Sequence, residues 1–188
     1  MGRWEPNARA RLERAALELY TERGFDQTTV ADIAERAGLT KRTFFRYFAD
    51  KREVLFWGQG ALQDAYIGAV ADAPADATPM QLISCALAAA GAVVEERHEL
   101  ARQRQAVIAA NPQLQERELL KRATLATALA DALRERGVAD PAASLAAETA
   151  IAVFKVAFAR WIEASDDQRF SELIHESLGQ LRSVAADA

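Results

Sequence analysis

The 188-residue sequence is short of several residue types: one cysteine, two histidines, five prolines and four lysines. A lone cysteine, Cys85, cannot form an internal disulfide or a cysteine-based zinc cluster. His98 and His175 stand far apart in the chain on charged segments, so no metal site is expected. No stretch reaches the roughly 18 uncharged apolar residues that cross a bilayer. The nearest, Leu82 to Val94, is too short and too rich in alanine. The opening MGRWEPNARAR lacks the apolar middle of a signal peptide. These absences lead us to expect a cytoplasmic protein with no membrane partner.

Catalytic patterns are missing as well. EERHE, Glu95 to Glu99, lacks the spacing of a zinc-protease helix, and GQG, Gly58 to Gly60, follows no strand and so is no phosphate loop. No nucleophile, base and orienting group fall together, so neither enzyme activity nor a cofactor is expected. Alternating Val, Ile and Thr are also missing, which argues against strands.

What remains is helix. Ala, Leu, Glu and Arg, all good helix formers, dominate the chain. Thr29 with Asp32, Thr78-Pro79 with Gln81, Asp50 with Glu53, and Ser165 with Gln168 have the spacing of helix N-caps. Gly24, Gly38 and Gly137 each close an amphipathic run. Together they predict an all-α protein of about nine helices, near 7–23, 30–37, 41–48, 51–72, 79–97, 99–109, 112–136, 141–164 and 167–185. Gly58 and Gly60, inside the fourth, mark either a bend or a close packing point, and packing is the favoured reading.

Aromatics number only 14, yet four of them lie in the fourteen residues GLTKRTFFRYFADK, Gly38 to Lys51, with four cations and one acid. With Thr40 as N-cap and about 100° per residue, Phe44 and Phe48 share one face. Arg42 and Arg46 take the opposite face, with Phe45 and Tyr47 on the flanks. Two rings anchor the helix and the cations meet solvent. The preceding VADIAERA, Val30 to Ala37, presents Val30, Ile33, Ala34 and Ala37 as its inner stripe. Helix, glycine turn, helix is the layout whose second helix enters the DNA major groove. Leu12, Ala16, Leu19 and Tyr20, followed by Phe25, supply a third wall. Charge agrees: residues 1–60 carry 11 Lys/Arg and 9 Asp/Glu, while residues 61–188 carry 12 and 18. A mildly basic head on an acidic body suits a polyanionic partner.

The run TTVADIAERAGLTKRTFFRYFADKREVLF, with LELYTERGFDQTT before it, resembles the DNA-binding head of the TetR family of transcriptional regulators over about residues 8–56. The resemblance implies a helix-turn-helix domain over 1–50 and an effector-binding and dimerisation domain over 51–188. It implies that Thr40, Lys41, Arg42 and Thr43 face bases and that Thr29, Tyr47 and Lys51 hold phosphates. By side-chain chemistry alone, Arg42 or Lys41 suits a guanine edge and Thr43 or Phe45 a thymine methyl. Phe45 stands where the family usually has Tyr, and Arg52 where an acid is common.

The body offers less. Trp57, Tyr66, Cys85, Arg104, Phe154, Phe158 and Trp161 are candidate liners of an effector pocket. Phe170, Ile174, Leu178 and Leu181 form a C-terminal stripe suited to a bundle with a second copy. The function expected is a homodimeric repressor that binds a palindromic DNA operator and is released by a small-molecule effector. The rival is a helical dimer whose main partner is a protein or small molecule, its head idle or activating.

Overall fold

The computed structural model describes residues 7–164 and 168–186. Among them are nine α-helices, one 3-10 turn and no strand. The helices are α1 (Ala8–Arg23), α2 (Val30–Arg36), α3 (Lys41–Tyr47), α4 (Gln59–Asp72), α5 (Pro79–Glu95), α6 (His98–Ala109), α7 (Pro112–Glu135), α8 (Ala142–Glu163) and α9 (Phe170–Ala186). The all-α expectation therefore holds.

Local sequence sets most of these ends. Thr29 accepts from the Asp32 N–H while Asp32 accepts from the Thr29 N–H, a complete capping box. Thr78 and Gln81 repeat it with Pro79 in the first turn. Gly24, Gly38 and Gly137 all have positive φ, where a Cβ would be strained. The Ser165 cap proposed from sequence lies outside the described residues.

One expected helix is broken. Residues 51–72 form a 3-10 turn over Glu53–Phe56, then a turn at Trp57-Gly58, and only then α4. A Cβ placed on Gly60 would meet nothing within 4 Å. Close packing thus does not account for Gly60, and the chain bends at Trp57-Gly58.

The chain folds as two compact units. The first comprises Met1–Gly58 with Gln103–Glu118, and the second Gln59–Arg102 with Leu119–Ala188. This division is discontinuous. The end of α6 and the start of α7 pack with the head because polar links hold them there. Arg104 donates to the Leu55 carbonyl at 2.6 Å and pairs with Glu118 at 3.1 Å. Arg117 pairs with Glu53, and Gln113 donates to Asp26 at 3.1 Å.

In the first unit Leu12, Ala16, Leu19, Tyr20, Phe25, Ile33, Ala34, Phe44 and Phe48 are all buried. In the second, α5 packs against α4, α8 and α9. At Gly91 the side chain of Ile174 on α9 comes close to α5, its Cδ1 2.8 Å from where an added Cβ would sit. The α9 stripe expected to meet a second copy is instead covered by this core. Phe170 is 0% exposed, Ile174 4% and Leu178 6%, and Leu181 packs against them. An amphipathic stripe specifies burial without saying by what, and α5 and α8 of the same chain claim it.

Candidate nucleic-acid interface and effector core

The head is built from three helices that fix each other's ends. Tyr20 on α1 donates to the Lys51 carbonyl at 2.6 Å, and burial, with the Asp50 charge next, holds its phenol above the ordinary tyrosine range. Arg36 at the end of α2 forks onto Glu22 at 2.7 Å and Glu18 at 3.3 Å on α1. Arg11 of α1 donates to the Ala37 carbonyl at the turn, and its guanidinium lies 2.8 Å from where a Gly38 Cβ would stand. Gly38 is required by its φ of 65°, and a side chain there would also displace the end of the Arg11 guanidinium.

Against this frame α3 displays its outer face. Thr40 caps it, accepting from the Thr43 N–H at 3.1 Å. Phe44 is fully buried, which contributes about 1.5–3 kcal/mol. Lys41, Arg42, Phe45 and Arg46 are exposed, and Thr43 and Tyr47 are half-buried. Phe45 is 57% exposed and rests edge-on against Phe44. An exposed phenylalanine beside exposed cations is a surface shaped for contact rather than for water. Thr40, Lys41, Arg42, Thr43, Phe45 and Tyr47 thus occupy one short helix and its cap, and Thr29 lies at the start of the helix before it.

Two features were not expected from sequence. Tyr47 is flanked by two arginines, Arg46 at 4.9 Å and Arg9 at 5.5 Å from its ring centre, and Arg46 donates to its hydroxyl at 3.1 Å. Arg9 lies in α1, too far along the chain for local pattern to reveal the stack. Lys51 corrects an expectation. Its ammonium donates to the carbonyls of Phe25 at 2.7 Å, Thr28 at 2.9 Å and Asp26 at 3.3 Å. An ammonium has three N–H donors, and all three have protein acceptors. Lys51 clamps the loop between α1 and α2 instead of presenting itself to a phosphate.

The proposed pocket residues divide. Trp57 and Arg104 belong to the first unit: Trp57 carries Arg9 over its ring at 5.5 Å, and Arg104 covers the Phe56 ring at 5.1 Å. Tyr66, Phe154, Phe158 and Trp161 come together in the second unit, and Cys85 is half-buried on α5. Phe154 and Phe158 stack nearly parallel, 6.0 Å apart, and Phe170 stands edge-on to both. Trp161 stacks on Phe170 at 4.9 Å. His98, expected on a charged surface, instead lies against Trp161 at 4.3 Å, with Nε2 2.9 Å from its carbonyl oxygen. Among the described residues no group of three His, Cys, Asp or Glu is placed to hold a metal ion.

A capped, cation-bearing second helix after a glycine turn, braced by a third helix, defines a helix-turn-helix DNA-binding protein. Comparison with known proteins makes the assignment narrower. The family model for bacterial regulatory proteins of the tetR family matches residues 13–56, and that for the MftR C-terminal domain matches residues 77–186. The chain belongs to the TetR family of transcriptional regulators. It is 42% identical over 81 residues to the HTH-type transcriptional regulator TcmR of Streptomyces glaucescens, covering 43% of this chain and 36% of that protein. It is 38% identical over 58 residues to the putative mycofactocin biosynthesis transcriptional regulator MftR of Mycobacterium tuberculosis, covering 31% and 29%. The matches thus span about a third of these relatives' length. Solved structures share the fold. A TetR-family regulator from Syntrophomonas wolfei superposes with a TM-score of 0.68 at 17% identity, covering 96% of this chain and 95% of that one. FadR of Bacillus subtilis, in complex with stearoyl-CoA, gives 0.65 at 19% identity, covering 92% and 96%.

Proposed function

We propose that this protein is a ligand-responsive, sequence-specific regulator that binds a palindromic operator as a homodimer and is released by a small molecule. The observation that carries the reading is the outer face of α3, where Lys41, Arg42, Phe45 and Arg46 stand exposed while Phe44 and Phe48 anchor the helix. Arg42 and Lys41 reach base edges in the first turn of the recognition helix. Tyr47 donates to a phosphate with the help of its flanking arginines, while Thr29, whose hydroxyl and N–H both donate to Asp32, holds the start of α2 in place behind it. Lys51 supports this surface from behind. Phe45 contributes apolar contact to a thymine methyl.

Dimerisation uses the outer face of α8. That helix is long and largely apolar, with Glu148, Lys155 and Arg160 among its exposed residues, yet only 28% of its most apolar 18-residue stretch is buried. Ala147, Ala150, Val153, Ala157 and Trp161 face the core, while Leu145 and Val156 remain 64% and 50% exposed. A second copy covers this face and brings two heads into register with an inverted repeat, whose half-sites lie about 34 Å apart or a multiple of it.

The effector binds in the second unit. Helices α6 and α7 each contribute residues to both units. A change at the aromatic core therefore has a continuous covalent route along these two helices to Arg104, Arg117 and the 3-10 turn they hold. Effector and operator then weaken each other's binding reciprocally.

Selection of binding sites from a random duplex pool, followed by a salt titration on the winner, tests the reading. An enriched inverted repeat with a steep salt slope is expected. Weak binding that is equal on all sequences would instead support a helical dimer with an idle head.

A further inference from the structure

Tyr66 on α4 is completely buried, and its hydroxyl has no hydrogen-bond partner among the described residues. Drying a phenol without a partner is unfavourable, so the position calls for an oxygen or nitrogen atom that the chain does not supply. Burial also holds the phenol well above its ordinary pKa, so the proton stays on and the group remains a donor.

The surroundings say what that atom is attached to. The Phe154 ring lies 6.1 Å from the Tyr66 ring, and Phe158 stacks beside it within 10° of parallel. Both phenylalanines are only half-buried, although Val153, Ala157 and Trp161 on the same helix are buried. The parallel pair is therefore open on one side. Among the described residues the buried polar or charged ones are Thr28, Glu118 and Ser177, and only Ser177, an uncharged hydroxyl that is likewise without a partner, belongs to the second unit. No buried charge waits there for an ionic group. At Tyr66 an aromatic wall with a dry hydroxyl suits an apolar body that places one neutral oxygen there.

We propose that Tyr66 Oη anchors a neutral, apolar ligand through a single hydroxyl or carbonyl oxygen, with the ligand's body lying against Phe154 and Phe158. This rests on the effector-binding reading above and names the chemistry of that site.

The test uses the full chain with two fluorescent probes of one skeleton, 2-naphthol and naphthalene. A purely apolar site prefers naphthalene, the less polar of the two. With Tyr66 as anchor the order reverses, and naphthol binds about tenfold more tightly. Tyr66→Phe should remove that preference, leave naphthalene binding unchanged, and melt no lower than the wild type when ligand-free. If the wild type binds neither probe, or prefers naphthalene, the proposal is overturned. If Tyr66→Phe melts several degrees lower and keeps the preference, the hydroxyl is already satisfied inside the protein and the proposal is again overturned. Operator binding measured in parallel separates the two readings. Loss of sequence-selective DNA binding with the naphthol result intact would sink the regulator assignment and leave this site standing.

Discussion

Lys51 holds its ammonium nitrogen 2.7 Å from the carbonyl oxygen of Phe25 and 4.3 Å from the centre of the Phe25 ring. The same nitrogen also reaches Asp26 and Thr28. Three carbonyls of one loop therefore converge on one cation. Replacing Lys51 by Met leaves them without that donor and should cost about 1–3 kcal/mol of head stability. Denaturant unfolding measures the loss. The salt slope of operator binding should stay unchanged, since no phosphate contact is removed. A slope reduced by about one with stability intact would restore the phosphate role.

Arg104 and Glu118 make a second test, because Glu118 is only 7% exposed. Arg104→Met leaves a buried carboxylate without its guanidinium, and Glu118→Leu leaves the converse. Each should destabilise by about 3 kcal/mol. The double variant should cost less than the two singles added together. A double-mutant cycle by chemical denaturation gives the coupling, and strict additivity would show that the pair does not interact. Repeating the cycle on operator affinity asks whether the same pair also fixes the head.

Local pattern made much of this molecule legible, and distant contact hid the rest. Phe44 and Phe48 declare their burial by spacing alone, and the capping boxes at Thr29 and Thr78 are written within four residues. The break at Trp57-Gly58 was signalled by two glycines whose purpose spacing alone did not decide. Arg104 is different. Its partner Leu55 lies 49 residues away, and nothing near Arg104 in the sequence marks it as a clamp. The α9 stripe is apolar as its spacing predicts, yet its own subunit covers it, because periodicity names a face and not what covers it. Lys51, Arg9 and His98 were hidden for the same reason.

Acid should loosen the head. Asp32 lies below the usual carboxylate range because it accepts from the Thr29 hydroxyl and then from the Thr29 N–H. Glu22 lies low because Arg36 donates to it. A depressed folded-state pKa gives stability that is present above the unfolded-state pKa and is lost as pH falls through the folded value. The loss should therefore begin near pH 4 and deepen below it. Both groups are at the surface, so the effect is small and the Glu22–Arg36 part weakens with salt. Thermal melts between pH 3 and pH 6 show it. Asp32→Asn should flatten the acid limb, and an unchanged limb would show that the capping box does not titrate.

Arg42 is exposed on the first turn of α3. Arg42→Ala should weaken binding to the selected operator by about 1–3 kcal/mol and relax the base preference at one position per half-site. Binding competition across a panel of single-base operator variants reads both effects. A uniform loss over all sequences would make Arg42 a phosphate contact, and base reading would pass to Lys41 or Thr43.

The α8 face separates a dimer contact from a core contact within one measurement. Val156 is 50% exposed and Ile174 is 4% exposed. If a second copy covers α8, Val156→Glu places a charge in the interface and disfavours the dimer, while the subunit fold loses little. Sedimentation equilibrium should then show a monomer that melts as a folded protein and binds a palindromic operator less tightly than the wild type. Ile174→Glu buries the same charge inside the subunit, and loss of folding is the expected result. Should Val156→Glu remain a dimer, the shared surface lies elsewhere. Should it unfold like Ile174→Glu, the α8 face belongs to the subunit's own core.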